Sequence, residues 1–153
     1  MFLQHNIHAF GKDKTVAYYG RLQFSAGLLP LPGELLIKRN NDRDCMIQWK
    51  YDRQEDIDVP TDRLYIVELH ESGMPHIHDT KACRSEGKVL FSTFENINKE
   101  LHLYCFWANE SGTAFSPTHY FEEIPLSDTR AIKSSITTSL GVGTQKNLYP
   151  KSK

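Results

Sequence analysis

Between residues 14 and 121, short runs rich in β-branched and aromatic side chains alternate with clusters of Gly, Asn, Asp, Ser and Pro. The runs are 14–24, 34–39, 44–51, 62–70, 76–83, 87–94, 101–108 and 114–121, a spacing that reads as successive strands. Between them stand Asn40-Asn41-Asp42, Pro60-Thr61-Asp62, Glu71-Ser72-Gly73, Ser85-Glu86-Gly87 and Glu110-Ser111-Gly112. Each break supplies a residue that tolerates positive φ or bonds its own backbone. Within 44–51, Cys45, Ile47, Trp49 and Tyr51 share one face, and Met46, Gln48 and Lys50 share the other. Run 101–108 is apolar at both parities, which suits a central strand and leaves its inward face open. No helical stripe competes within 34–122. The pattern predicts an all-β chain: an antiparallel β-sandwich over 21–122, an N-terminal segment over 1–20 and a C-terminal arm over 123–153.

The arm has a different pattern. It is rich in Ser, Thr and Gly, and Ile132, Ile136 and Leu140 recur at intervals of four. On a helix these three form one stripe, with Asp128 as N-cap and Gly141 as the stop. On a strand they also share a face, and the β-branched content favours that form. Either element is too weakly apolar to stand alone, so it is expected to fold against something else or to stay a solubilising tail.

Charge sharpens that division. Residues 129–153 carry Arg130, Lys133, Lys146, Lys151 and Lys153 with no acidic residue, a charge of +5. Residues 1–20 contribute +1, so the net −1 of the chain leaves −7 on residues 21–128. An acidic body with a basic arm gives no overall attraction to nucleic acid or to an anionic membrane. No stretch approaches the roughly 18 apolar residues that span a bilayer. The opening residues lack a basic stretch followed by an apolar run, so no secretory signal is expected there. Three cysteines, Cys45, Cys83 and Cys105, do not make a disulfide scaffold. A cytoplasmic or virion location is the expectation.

Two resemblances follow from particular residues. Trp49 in an early strand, a Tyr-bearing strand leading into Asn109-x-x-Gly112, and Ser116-Pro117 before the last strand resemble the immunoglobulin-like and fibronectin type III-like superfamily. Trp107 stands where that pattern usually has Ala. A second set comprises Trp49, Asp62-Arg63-Leu64-Tyr65, Arg84-Ser85-Glu86-Gly87, Tyr104, Phe106, Gly112 and Ser116-x-Thr118-x-Tyr120. Over about two-thirds of the chain this set resembles the C-terminal β-domain of an uncharacterised protein family common in Bacteroidetes. The resemblance implies an immunoglobulin-like or fibronectin III-like β-sandwich and a bacterial or phage source. It implies no reaction.

Candidate chemistry concentrates in residues 70–79, where His76 and His78 fall on one face of a strand and His70 can lie opposite. Neutral imidazoles so placed hold Zn²⁺ or Ni²⁺, with Glu71 or Asp79 as a further ligand. The alternative is an exposed hairpin whose histidines only solvate it, because no cysteine pair or HExxH accompanies them. Cys45 and Cys105 are expected on facing strands, as a disulfide or as two buried thiols. Nucleophilic catalysis finds no GxSxG, and Gly141-x-Gly143 lacks the strand-to-helix turn of a phosphate loop. The aromatic residues are expected mainly in the core.

The sequence therefore points to a non-catalytic protein-binding or structural module without a cofactor. Its expected partners are another protein or copies of itself in an assembly, such as a phage virion. The binding residues are expected to be Arg130, Ile132, Lys133, Ile136 and Leu140 of the arm. A carbohydrate-binding sandwich is the alternative, and a hydrolase using a His70/His76/His78 metal site comes last.

Overall fold

The computed structural model describes Asn6, Ala9, Gly11 and residues 18–56 and 59–127. Among the described residues seven strands form: β1 Leu36–Arg39, β2 Asp44–Gln48, β3 Arg63–His70, β4 His76–Cys83, β5 Lys88–Ser92, β6 Leu101–Ala108 and β7 His119–Phe121. They build two antiparallel sheets, one ordered β1-β2-β5 and the other β4-β3-β6-β7. The all-β expectation is met. Among the described residues no helix is long and apolar enough to cross a membrane.

The inner faces of the two sheets meet in one core. Ile37, Cys45, Ile47 and Trp49 pack there against Leu64, Ile66, Leu103, Cys105 and Trp107. The alternation read in 44–51 thus points Cys45, Ile47 and Trp49 inward. Trp49 and Trp107 meet edge to face at 4.7 Å, a favoured aromatic geometry. Each fully buried Leu or Ile here contributes about 1.5–3 kcal/mol by leaving water.

The apolar character of β6 at both parities has a tertiary cause. Leu103, Cys105 and Trp107 face the first sheet. Tyr104 and Phe106 face outward, where Ala9, Leu22 and Phe24 cover them in a second cluster. Ala9, Tyr19, Leu22 and Phe24 therefore form a third layer over the β4-β3-β6-β7 sheet. Tyr19 stacks flat on His102 at 3.9 Å, and Tyr104 donates its hydroxyl hydrogen to the Tyr19 carbonyl at 2.8 Å. Asn6 joins this layer: its Nδ2 donates to Gln23 O at 2.9 Å, and its Oδ1 accepts from Gln23 N.

Several elements differ from the sequence pattern. The strand expected over 14–24 is instead a 3-10 turn at Tyr19–Arg21, and residues 12–17 lie outside the described residues. Arg21 N–H donates to Tyr18 O and Leu22 N–H to Tyr19 O, closing the turn, while Tyr18 N–H reaches Ala9 O and Phe24 N–H the Thr118 hydroxyl. Run 114–121 shortens to 119–121 because Ser116 bonds the end of β6 in its own way. Trp107 N–H donates to Ser116 Oγ, and Pro117 has no donor to continue a ladder. Run 44–51 stops at Gln48: Trp49 N–H still reaches Gly87 O in the β2–β5 register, but Lys50 N–H then turns away to Gly33 O.

The Arg84-Ser85-Glu86-Gly87 stretch closes one end of the sandwich as a 3-10 turn, with Gly87 left-handed at φ 75°. Arg84 is fully buried, its guanidinium 4.9 Å above the Trp107 ring. Its Nη2 donates to Pro30 O at 2.6 Å and lies 3.5 Å from Asp62 Oδ2. Trp49 Nε1 donates to the Arg84 carbonyl at 2.7 Å. Burial pushes the Asp62 carboxyl up against the pull of Arg84, and burial pulls the Arg84 guanidinium down. These residues carry part of the resemblance, and in this fold they are architecture.

Candidate functional site

The histidine hairpin sits on β3 and β4. β4 is an edge strand paired only to β3 among the described residues, with Glu68 opposite His76 and Ile66 opposite His78. His76 and His78 share a face as expected, both against Phe94, at ring separations of 5.2 and 4.6 Å. His78 Nε2 lies 2.9 Å from Glu68 Oε1. An ionised carboxylate only accepts, so Nε2 carries the hydrogen and donates it. The buried Glu68 also accepts from Phe94 N–H at 2.9 Å and from Glu95 N–H at 2.8 Å. Burial alone would raise the Glu68 carboxyl, but the His78 and backbone bonds outweigh it and hold it below its ordinary value.

His70 is engaged elsewhere. Its Nδ1 lies 2.9 Å from Ser72 Oγ and its Nε2 lies 3.5 Å from Glu100 Oε1. Among the described residues, no three His, Cys, Asp or Glu side chains group to hold a metal ion. Cys45, Cys83 and Cys105 are free thiols. Burial pushes Cys45 up to about 12 and Cys105 higher still, so both are protonated at neutral pH and inert as nucleophiles.

A polar cluster that the sequence pattern did not mark lies on the outer face of β6. In the neutral ring, His102 donates through Nε2 to Glu71 Oε2 at 3.0 Å and accepts from the Tyr120 hydroxyl at Nδ1, at 2.9 Å. Burial, then Glu122 and Glu71, push the Tyr120 phenol up, so it stays protonated. Beside the cluster is a depression of about 270 Å³ whose walls include Arg39, Lys99, His102, Tyr120 and Glu122. With Tyr19 stacked on its ring, His102 fastens the N-terminal layer to the sheet. The one sequence signal for it was a polar residue inside an otherwise apolar run.

Two surfaces stand out for contact. Along the open side formed by edge strands β4 and β5, Met74, Ile77, Leu90 and Phe94 are 58–77% exposed. At the opposite side, the chain after β7 crosses to β1 and pairs with it in parallel at Arg39–Leu126. Arg39 N–H donates to Pro125 O, Ser127 N–H donates to Arg39 O, both at 2.8 Å, and Arg39 Nε donates to Ile124 O at 3.1 Å. The arm thus starts from a fixed point on the edge of the first sheet. Arg130, Ile132, Lys133, Ile136 and Leu140 lie outside the described residues. Of the aromatic residues, Trp107, Tyr104 and Phe121 are buried, while Phe94 and Tyr18 are exposed. No family model, no curated protein and no solved structure matches this chain.

Proposed function

We propose that this chain is a non-catalytic binding module and a small component of a multi-subunit assembly, such as a phage particle, held to its neighbours through the basic C-terminal arm. The observation that carries the reading is the anchored root of that arm. Three hydrogen bonds between Arg39 and residues 124–127 fix where the +5 segment leaves a body of charge −7. A segment delivered from a fixed point loses less freedom on docking than one hung from a loose linker. Opposite charge on arm and body favours encounter between copies and weakens with salt. The strand order β1-β2-β5 against β4-β3-β6-β7, with Trp49 buried between the sheets, supports the fibronectin III-like reading of the sandwich.

The test compares the full chain with one stopped after Ser127, each measured for self-assembly and for capture of partners from its source. Loss of both in the shortened chain, with an unchanged circular dichroism spectrum, supports the proposal. Unchanged assembly or capture refutes it.

A further inference from the structure

Resting on that reading, we infer that the open edge of β4 accepts the C-terminal arm of a second copy of this chain, which adds there as a further strand. An edge strand presents unpaired N–H and C=O groups along its free side, and natural sheets guard such edges with lysines, bulges or coverage. Here only half of β4 is guarded. Its pairing jumps from Tyr65–Asp79 to Arg63–Cys83, with Lys81 bulged out at φ 63°. The other half pairs regularly, from Tyr65–Asp79 to Glu68–His76, and among the described residues no strand lies on its outer side. There Ile77 is 60% exposed, and Met74 in the adjoining hairpin is 77% exposed.

The sequence of the arm is complementary. As a strand, Ile132, Ile136 and Leu140 share one face, and Lys133, Ser135 and Thr137 share the other. Added to β4, its backbone takes up the free N–H and C=O groups while its isoleucines lie beside Ile77. Where the arm begins favours a second copy over the chain's own edge. Its root is on β1, which borders β7 across a depression of about 620 Å³ lined by Ile37, Phe121 and Pro125 among others. β4 lies beside β5 on the other side of the sandwich. To reach its own β4, the arm would cross a whole sheet face. A neighbouring copy placed side by side brings its β4 next to the root. The 26 residues after Ser127 extend to about 85 Å as a strand, enough to bridge and then pair along β4. Donor and acceptor are different surfaces, so copies join head to tail into rings or filaments.

Native mass spectra of the untagged full chain, Ile77→Lys and Leu28→Lys decide the matter. Leu28 is the control, since its side chain is fully exposed and its neighbours Gly27 and Leu29 pack on Phe115, not on the His76–Asp79 half of β4. Multi-chain species are expected for the wild type and L28K. I77K, with an unchanged circular dichroism spectrum, should need at least about tenfold higher concentration to assemble, and Met74→Lys probes the same edge independently. Wild-type assembly by both I77K and M74K overturns the β4 acceptor and leaves arm docking standing. A wild type that stays single at every concentration overturns the second copy as partner, while the shortened chain still tests the arm against other proteins.

Discussion

His78 donates to Glu68 across the β3–β4 pair at 2.9 Å, and the same carboxylate gathers the backbone N–H groups of Phe94 and Glu95. A buried anion on the inner face of a strand thereby pins the segment after β5 and holds Phe94 against the histidine ring. The part of the hairpin that looked most chemical is thus a strut beneath the exposed edge.

Glu68→Gln tests the strut. The amide keeps one acceptor and turns an N–H₂ toward groups that also donate, so it should cost about 2–3 kcal/mol in denaturant unfolding. The pH dependence has a definite sign. The folded carboxyl lies below its ordinary 4.5, so its contribution is complete above that value and is lost as pH falls through the folded value. The stability gap between wild type and E68Q should therefore narrow on acidification below about pH 4.5. A gap that is constant with pH would show that the ionised form does not supply the contribution.

Arg84 and Asp62 form a buried ion pair in which neither partner can reach bulk water. Arg84→Met removes the cation and leaves Asp62 buried, at an expected cost of about 3–5 kcal/mol. Adding Asp62→Asn should recover part of that loss, because the stranded charge goes with it. A double variant no more stable than R84M would mean that Arg84 acts through its stacking on Trp107 alone.

Gly27 packs its backbone against Phe115, where an added Cβ would lie 2.0 Å from the Phe115 carbonyl oxygen. Gly27→Ala must push apart two backbone segments, with an expected loss of about 1–3 kcal/mol by thermal or denaturant unfolding. Gly33, whose Cβ would meet nothing, is the matched control, and Gly33→Ala should be near neutral. Equal effects at the two positions would remove the steric explanation.

The strands were legible where local chemistry decides them. Asn41 bonds Arg43 N–H and Asp44 N–H through Oδ1 in the turn between β1 and β2, as an Asx-type residue is expected to do. β4 and β6 fall on the predicted residues 76–83 and 101–108. What the pattern did not hold was tertiary. Tyr18, Tyr19 and Phe24 read as a strand, because a segment lying over a sheet needs the same aromatic residues as one within it. Arg84 entered only as part of a resemblance, since no local pattern tells that a guanidinium will lie over Trp107. The exposed edge at Ile77 was hidden for the same reason, because strand order decides which strand is left unpaired.

The central claim is that copies of this chain hold one another by arm and edge. A native mass spectrum of the untagged full-length chain at moderate salt tests it most directly. The account predicts species at whole multiples of 17.6 kDa that shift toward the single chain as salt rises. A single chain at every concentration would contradict it, and a single chain carrying the added mass of a metal ion would return attention to His70, His76 and His78.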